Sequence, residues 1–395
     1  MDREAVIGAT GENGSDYEAV VLQRYGDAAR KVESCLCLPV SYDPALLKAI
    51  PDEILEKDYG CGDPSRYIRE GETVLDLGSG SGKACYIISQ IVGAKGKVIG
   101  VDFNPPMLEL ARKYQKTIGD RLGYHNVEFR RGKIQDLRTN LELVERYLQD
   151  NPVRSVADLA TLDAYENRIR SEQPLIADES IDVIISNCVL NLVRPQDKNI
   201  LFAEIYRVLK TGGRIAISDI VSDEPVPEHL AKDPDLWSSC VSGAFQEENF
   251  LRAFEAAKFY GIQIEEFRSE AYQTFEGIEF RAITVTAHKG KEGPCIERNQ
   301  AVIYRGPWKQ VVDDDGHTLP RGVRIAVCAK TYGLYSRPPY QDQLILVPPR
   351  EEVENAGIFD CSRDHKRTPR ETKGAEFKST RLSNSVCGPG SNCCP

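Results

Sequence analysis

Histidine is scarce in this chain, with 5 among 395 residues. Only His365 lies within a few residues of a cysteine, Cys361, so the sequence offers poor material for a zinc finger. It also lacks any apolar run near the roughly 18 residues that a membrane-spanning helix needs. Residues 1–20 have neither the basic start nor the apolar stretch of a secretory signal. We therefore expect a soluble, cytoplasmic protein with no membrane partner.

Basic residues are outnumbered by acidic ones, because the chain has 50 Lys and Arg residues and 60 Asp and Glu residues, which gives a net charge of −10. Nucleic acids and anionic membranes both attract basic surfaces, so we expect no nucleic-acid partner. The composition, 41% hydrophobic and 28% charged, is typical of globular proteins. The length predicts two or three domains at about 150 residues each.

The 12 cysteines make up about 3% of the 395 residues. This share is well below the roughly 8–10% found in disulfide-stapled scaffolds. We expect reduced thiols, which favours catalytic, redox or soft-metal roles over structural disulfides. Cys85 is interpreted as a buried small side chain within a helix. Cys295, Cys328 and Cys361 have no motif around them and are interpreted as structural or incidental.

Short apolar strand-like runs alternate with helical periodicity through the middle of the chain. The predicted strands are residues 72–77, 97–101, 127–130, 181–186 and 214–219. This alternation predicts an α/β fold with a doubly wound, mostly parallel sheet. We expect Gly212-Gly213 to stop the helix that ends in LFAEIYRVLK, and residues 274–288 to add an antiparallel edge pair.

Changes in composition along the chain predict five regions. They are an N-terminal helical cap (1–70), an α/β domain (71–220) with a polar helical insertion (about 138–178), a region with closing strands (221–292), a small β-rich domain (293–360) and a flexible cysteine-containing tail (361–395).

A glycine-rich loop, Asp76 to Gly82 (DLGSGSG), follows the first predicted strand and opens a helix. Glycines let a backbone approach a ligand closely, and a helix N-terminus offers free N–H groups. Asp102 ends the second strand, where an acid can accept both hydroxyls of a ribose. A dinucleotide fingerprint would need a third glycine at Lys83. The loop instead is similar to that of class I methyltransferases, in which the first acid can face the ammonium of S-adenosylmethionine.

Further motifs resemble the arsenite S-adenosylmethionine methyltransferases. They are YGCG (59–62), VLDLGSGSG (74–82), SNCVLNL (186–192), YRVLKTGG (206–213) and WSSCVSGA (237–244). The resemblance covers about residues 17–290 and extends loosely through AVIYRG and the Cys-Cys tail. It implies an enzyme of arsenic detoxification with the class I Rossmann-like fold and S-adenosylmethionine as cofactor. It also implies that residues 71–220 form the cofactor-binding domain and residues 221–292 the arsenic-binding, or substrate, region. The cofactor-binding residues it implies are Asp76, Gly78, Ser79, Gly80, Gly82, Asp102, Phe103, Ile134, Gln135 and Asn187.

The resemblance also implies that Cys61, Cys188 and Cys240 hold trivalent arsenic, a soft centre that prefers thiolates. The substrate would be arsenite or its thiol conjugates. The arsenic lone pair would attack the methyl group with no proton to remove, so the lack of an evident general base is expected. Either Cys35 or Cys37 would then form a disulfide with Cys61 and return the arsenic to the trivalent state. A thioredoxin- or glutathione-type reductant would reopen that bond, and a monomer is favoured.

Two other functions compete with this one. A small-molecule carbon or oxygen methyltransferase of the same fold would need no cysteine triad. A non-catalytic thiol-based metalloid-binding protein would use the many cysteines without a methyl donor. Adding arsenite with and without S-adenosylmethionine, and looking for methylated arsenicals, separates all three. The choice between Cys35 and Cys37 stays open, as do the roles of the insertion and the C-terminal region.

Overall fold

The computed structural model describes residues 17–33, 40–362 and 364–374. The chain divides into two compact units, one up to Gly290 and one from Lys291 onward. None of the helices within the described ranges combines the length and hydrophobicity needed to cross a bilayer.

The first unit is built on one nine-stranded sheet. Its strands are β1 (Thr73–Leu77), β2 (Lys97–Asp102), β3 (Val127–Arg131), β4 (Ile181–Asn187), β5 (Leu209–Ser222), β6 (Phe245–Gln246), β7 (Tyr260–Phe267), β8 (Gln273–Phe275) and β9 (Ile278–His288). The order is β3-β2-β1-β4-β5-β9-β7, with β6 beside β5 and β8 beside β9. Strands β1 to β6 pair in parallel, whereas β9 runs antiparallel to β5, β7 and β8. The predicted mostly parallel sheet is confirmed.

The helices of the first unit precede the sheet (α1 to α3) or lie between its strands (α4 to α12). They are α1 (Tyr17–Ala28), α2 (Pro44–Leu47), α3 (Asp52–Glu56), α4 (Lys83–Val92), α5 (Pro105–Lys113), α6 (Gln115–Leu122), α7 (Leu141–Asp150), α8 (Val156–Glu172), α9 (Pro195–Val208), α10 (Glu228–Ala231), α11 (Pro234–Ser238) and α12 (Glu247–Ala256). Short 3-10 turns lie at Pro64–Tyr67 and Leu190–Leu192. The insertion expected to be helical forms α7 and α8.

The core lies on both faces of the sheet, because successive strand residues point to opposite sides. Leu75 and Leu77 of β1 pack in one apolar cluster, and Val74 packs in the other. All three are fully buried, as expected for a parallel strand covered by helices on both faces. The chain order reverses at β1, between β2 and β4. Ligands of open α/β sheets bind at such a point, beyond the carboxyl ends of the strands.

The prediction that Gly212-Gly213 ends a helix is wrong. Helix α9 already ends at Val208, and both glycines lie inside the long strand β5. They extend the pairing of β5 because the N–H of Gly212 donates to the carbonyl of Lys289 at 2.8 Å, and Lys289 donates back to Gly213 at 2.9 Å. The predicted antiparallel pair corresponds to β8 and β9. Strand β7 was not predicted, because its half-exposed sequence YGIQIEEF buries mainly its first two residues.

The second unit contains a three-stranded sheet in the order β13-β10-β14 and a two-stranded sheet of β11 and β12. Its elements are β10 (Ala301–Tyr304), β11 (Gln310–Val312), β12 (Thr318–Pro320), β13 (Arg324–Ala326), α13 (Ala329–Tyr335), β14 (Leu344–Val347) and α14 (Pro369–Lys373). All pairings between these strands are antiparallel. This is the small β-rich C-terminal region that the sequence predicted.

Candidate active site

The glycine-rich loop turns sharply from the end of β1 into α4. Gly78 and Gly82 have φ values of +74° and +85°, in the region that favours glycine. A Cβ on Gly78 would lie 2.5 Å from Val189, and one on Gly82 would lie 2.7 Å from Phe129. A Cβ on Gly80 would meet nothing within 4 Å. The loop is therefore tightly packed at both ends and open at its middle.

A crevice of about 1060 Å³, part of it open to solvent, lies at this switch point. Its wall contains every predicted cofactor-binding residue except Gly82, namely Asp76, Gly78, Ser79, Gly80, Asp102, Phe103, Ile134, Gln135 and Asn187. Gly82 lies outside the wall because its backbone turns against the side chain of Phe129. The structure thus brings residues from four separate segments of the chain to one crevice.

Asp102, at the end of β2, faces this crevice with a carboxylate held by backbone donors. One oxygen accepts the N–H of Gly80 at 2.9 Å, and the other accepts the N–H of Asn104 at 2.8 Å. Burial raises the pKa of Asp102, and these N–H donors oppose the rise. Each carboxylate oxygen can accept a further hydrogen bond, which suits a pair of ribose hydroxyls.

Asp76 lies deeper in the crevice and is 2% exposed. Burial raises its pKa to about 7. The thiol of Cys85 donates to its carboxylate at 3.2 Å, so Cys85 is buried as predicted but also makes a polar contact. A cation beside Asp76 would favour the charged carboxylate, as the ammonium of an amino-acid ligand would.

The crevice also contains a polar atom without a partner. The hydroxyl oxygen of Ser79 is buried and has no hydrogen bond within the described part of the chain. Leaving such a group unpaired costs about 1–3 kcal/mol. Together with Asp76, Asp102 and the open space at Gly80, it fits a nucleoside ligand with a ribose and a cationic tail. S-adenosylmethionine has both features.

A second, smaller cavity of about 280 Å³, part of it open to solvent, adjoins the crevice, and we call it the cysteine chamber. Its wall contains Cys61, Cys188 and Cys240. Tyr25, Tyr59 and Cys188 line both cavities. The structure therefore brings the three predicted arsenic ligands together, beside the pocket predicted for the methyl donor.

Cys61 and Cys188 are joined by a disulfide in this structure, with their Cα atoms 5.9 Å apart. The expectation that the cysteines are reduced thiols is wrong for this pair. The physical reason is proximity, because this Cα separation lies in the range that a disulfide spans. The structure thus describes the oxidised form of the chamber, in which Cys240 keeps a free thiol.

Asn187, at the end of β4, fixes the segment that carries Cys61. Its side-chain oxygen accepts the N–H groups of Cys61 at 2.8 Å and Gly62 at 3.1 Å, and its amide donates to the carbonyl of Gly62 at 2.8 Å. A Cβ on Gly60 would lie 2.4 Å from the side chain of Asn187. Asn187 therefore contacts the cysteine segment as well as lining the crevice where it was predicted to bind cofactor.

Cys240 is fixed in a similar way by the loop that follows β4. The side-chain amide of Asn191 donates to the carbonyls of Ile220 at 2.6 Å and Cys240 at 3.2 Å. The thiol of Cys240 donates to the carbonyl of Cys188 at 3.0 Å. Cys188 and Cys240 both have left-handed φ values, 59° and 62°, which side-chain-bearing residues rarely adopt.

The acid beneath these cysteines was not predicted from the sequence. Asp219 of β5 is fully buried, and burial raises its pKa to about 6. Its carboxylate accepts the N–H of Leu190 at 2.9 Å and of Ile220 at 2.8 Å. Burial first, and the charge of Asp219 second, raise the pKa of Cys240, so its free thiol is protonated at neutral pH. The only sequence signal was the position of Asp219 at the end of a predicted strand.

Helix α1 lines both cavities through Tyr25, which the sequence did not predict. The Tyr25 hydroxyl lies 3.9 Å from the sulfur of Cys240. Arg24 donates to the hydroxyls of Ser238 at 2.7 Å and Ser239 at 2.8 Å. The sequence predicted a helical cap over residues 1–70 but could not show which element its helices pack against.

Other predicted residues lie outside the described part of the chain. These are Cys35 and Cys37, the predicted relay thiols, and the tail cysteines Cys387, Cys393 and Cys394. Cys61, which was predicted to form a disulfide with Cys35 or Cys37, is 1% exposed.

Comparisons with known proteins agree with this geometry. The family described as a methyltransferase domain matches residues 68–258, and a domain of unknown function matches residues 291–377. Arsenite methyltransferase from Aquipseudomonas alcaligenes is 32% identical over 337 residues, 81% of this chain and 86% of that protein. The enzyme of the same name from Mus musculus is 28% identical, over 84% of this chain and 82% of that protein.

A solved structure is similar across the same span. The arsenic(III) S-adenosylmethionine methyltransferase of Chlamydomonas reinhardtii matches with a TM-score of 0.52 and 28% identity, covering 81% of this chain and 100% of that chain. Fold, crevice and sequence relatives lead to the same assignment. The chain belongs to the arsenite methyltransferase family.

Proposed function

We propose that this protein methylates trivalent arsenic held by Cys61, Cys188 and Cys240, with S-adenosylmethionine as the methyl donor. The observation that carries the proposal is the cysteine chamber, which contains all three residues and shares Cys188 with the crevice. Family membership supports the same activity, because the curated relatives are named arsenite methyltransferases.

Substrate binding needs the chamber in its reduced form. Two electrons and two protons, from a thioredoxin- or glutathione-type reductant, open the Cys61–Cys188 disulfide. Arsenous acid then exchanges its three hydroxyl groups for three sulfurs, and each thiol proton leaves with a hydroxyl as water. The raised pKa of Cys240 is compatible with this exchange, because no free thiolate has to form beforehand. Three As–S bonds leave the lone pair of the arsenic free.

In the crevice, Asp102 accepts hydrogen bonds from the ribose hydroxyls, and Asp76 faces the ammonium group. Ser79 gains a partner for its buried hydroxyl, and Ile134 and Gln135 lie beside the adenine. When bound, S-adenosylmethionine supplies an electrophilic methyl group on a sulfonium centre. The residues of the chain orient this donor and separate it from bulk water.

The chamber contributes mainly position to the transfer. Cys188 lines both cavities, so arsenic bound there faces the crevice with its lone pair. Holding donor and acceptor side by side replaces a bimolecular encounter by a unimolecular step. Tyr25 and Tyr59 line both cavities, and aromatic faces favour a cationic sulfonium. The arsenic carries no proton, so no general base acts at this step.

Methyl transfer leaves the arsenic formally pentavalent and still bonded to the sulfur of Cys61. The thiolate of Cys35 or Cys37 then attacks that sulfur, the As–S bond to Cys61 breaks, and its electron pair returns the arsenic to the trivalent state. The two sulfurs are thereby oxidised to a disulfide. The Cys61–Cys188 disulfide supports this redox role, because the sulfur of Cys61 already takes part in one such bond. An external dithiol or glutathione then reduces the new disulfide before another cycle.

Incubating the full-length protein with arsenite tests the proposal, with arsenicals separated by liquid chromatography and detected by mass spectrometry. We expect methylated arsenicals only when S-adenosylmethionine and a thiol reductant are both present. Arsenic that binds without being methylated would instead indicate a metalloid-binding protein. Failure to methylate or bind arsenite, with methyl transfer to a carbon or oxygen acceptor, would indicate the other enzyme class.

A further inference from the structure

Three cysteines outside the active site come together in the second unit. The sulfur atoms of Cys295, Cys328 and Cys361 all lie within 4.8 Å of one another. Each follows the previous one by 33 residues in the chain, and no local motif predicts that they meet. The sequence indicates a structural or incidental role for these residues, and an incidental placement does not account for their convergence.

Backbone hydrogen bonds hold the three cysteine-bearing segments together. The N–H of Phe359 donates to the carbonyl of Cys295 at 2.9 Å, and that of Ala329 donates to the carbonyl of Ile296 at 2.8 Å. Ile296 also forms an antiparallel bridge with Ile358. The cluster is therefore built by the fold of this unit, because the segment that carries Cys295 is hydrogen-bonded to both of the others close to their cysteines.

The three sulfurs differ in environment. Cys328 is 1% exposed, Cys295 is half-buried and Cys361 is exposed, so the cluster can be reached from the surface. The sulfur of Cys328 accepts the N–H of Thr331 at 3.4 Å and lies 3.2 Å from its hydroxyl. Burial alone would raise the pKa of Cys328, but these donors lower it. Burial and the neighbouring thiols raise the pKa of Cys361.

The number of ligands indicates which kind of ion fits. Within the described ranges, the cluster has three cysteines and no fourth histidine, cysteine or acidic ligand. Structural zinc sites almost always have four protein ligands. Trivalent arsenic instead makes three bonds to sulfur, with its lone pair in the remaining direction, and soft centres prefer thiolates.

We propose that Cys295, Cys328 and Cys361 form a second binding site for trivalent arsenic, separate from the cysteine chamber. Binding converts one arsenous acid and three thiols into three As–S bonds and three water molecules, with no change of oxidation state. The proposal depends on the proposed function in one respect only, which is that arsenic is the soft centre that this protein meets. A fully reduced chain then holds arsenic at two places.

The test uses the full-length chain without the other candidate ligands. In this background variant, Cys35, Cys37, Cys61, Cys188, Cys240, Cys387, Cys393 and Cys394 are all replaced by serine. We expect equilibrium dialysis against arsenite to give about one arsenic per chain, with three As–S bonds in X-ray absorption at the arsenic edge. Adding Cys361→Ser, an exposed position that should not disturb folding, should cause loss of the bound arsenic. Adding Cys85→Ser should leave it bound.

No arsenic uptake by the folded background variant would overturn the proposal. Uptake that survives Cys361→Ser would do so as well, and zinc bound to the purified protein at these cysteines would identify the site as a zinc centre. Failure of this proposal is distinguishable from failure of the proposed function. Methylation is measured on the unmodified chain, whereas this binding is measured without the chamber cysteines.

Discussion

The side-chain oxygen of Asn187 accepts the backbone N–H of Cys61 at 2.8 Å. This contact ties the YGCG segment to the end of β4, directly before Cys188. Asn191, four residues later, is bonded to the carbonyl of Cys240 at 3.2 Å. Two asparagines of the SNCVLNL motif therefore each fix the backbone of a different chamber cysteine.

Asn187→Ala should loosen the segment around Cys61, because it removes three hydrogen bonds. Each is worth about 0.5–1.5 kcal/mol, so amide exchange at Cys61 and Gly62 should become about tenfold faster or more. Hydrogen exchange followed by mass spectrometry measures this directly. Asn191→Ala is the matched control, and it should speed exchange around Cys240 while leaving residues 59–62 unchanged. Equal effects of both variants on both segments would contradict separate roles.

Asp102→Ala should weaken S-adenosylmethionine binding at least about tenfold, since hydrogen bonds to a charged group are worth about 1.5–3 kcal/mol. Titration calorimetry of the reduced protein measures the dissociation constant. Asp120→Ala, at an exposed acid of α6, serves as the control. An unchanged affinity in Asp102→Ala would remove this residue from the cofactor site.

Asp76 should make cofactor binding pH-dependent near neutrality. Its folded pKa is raised to about 7, so the carboxyl becomes neutral as the pH falls through that value and attracts the ammonium less. We expect the affinity for S-adenosylmethionine to fall between about pH 8 and about pH 6. Asp76→Asn should bind weakly and lose this dependence. A wild-type affinity that is flat over this range would contradict the role.

The raised pKa of Asp76 also affects the free energy of unfolding of the cofactor-free protein, and there a higher pH is unfavourable. A carboxyl whose folded pKa lies above its unfolded value binds more protons when folded, so stability falls as the pH rises between the two values. For Asp76 this window runs from about pH 4 to about pH 7. Cofactor binding should therefore stabilise the protein most above neutral pH, which thermal unfolding with and without S-adenosylmethionine can show.

The sequence predicted those parts of the site that depend on local pattern. The strand–glycine–helix motif located Asp76 and Asp102, because the ends of neighbouring parallel strands converge at one edge. Gly82 was predicted to bind the cofactor. In the structure it has a positive φ and packs against the ring of Phe129, where a side chain would not fit. The pattern alone could not distinguish a glycine that lines the crevice from one that packs against an aromatic ring.

The sequence could not predict which distant segments of the chain come into contact. Nothing around Tyr25 indicated that α1 would lie near Cys240. The burial of Asp219 depends on the strands beside β5. The convergence of Cys295, Cys328 and Cys361 likewise depends on hydrogen bonds between segments that are distant in the chain.

The double variant Cys35→Ser/Cys37→Ser should lose methylation of inorganic arsenite. It should retain methylation of a monomethylated arsenical, which has only two exchangeable positions and needs two thiolates. Product analysis with each substrate measures the difference. Equal loss on both substrates would assign the pair to folding or cofactor closure, and no loss would exclude it from the mechanism.

The most direct test of the account is methylation of arsenite by Cys188→Ser and Cys240→Ser, each measured in single turnover with excess reductant. Serine is nearly isosteric with cysteine, so both variants should fold and bind S-adenosylmethionine, while a hard hydroxyl replaces a soft arsenic ligand. Cys393→Ser is the control for the substitution itself and should remain active. We predict no methylated arsenic from either chamber variant. Full activity on arsenite in either one would contradict the three-cysteine site.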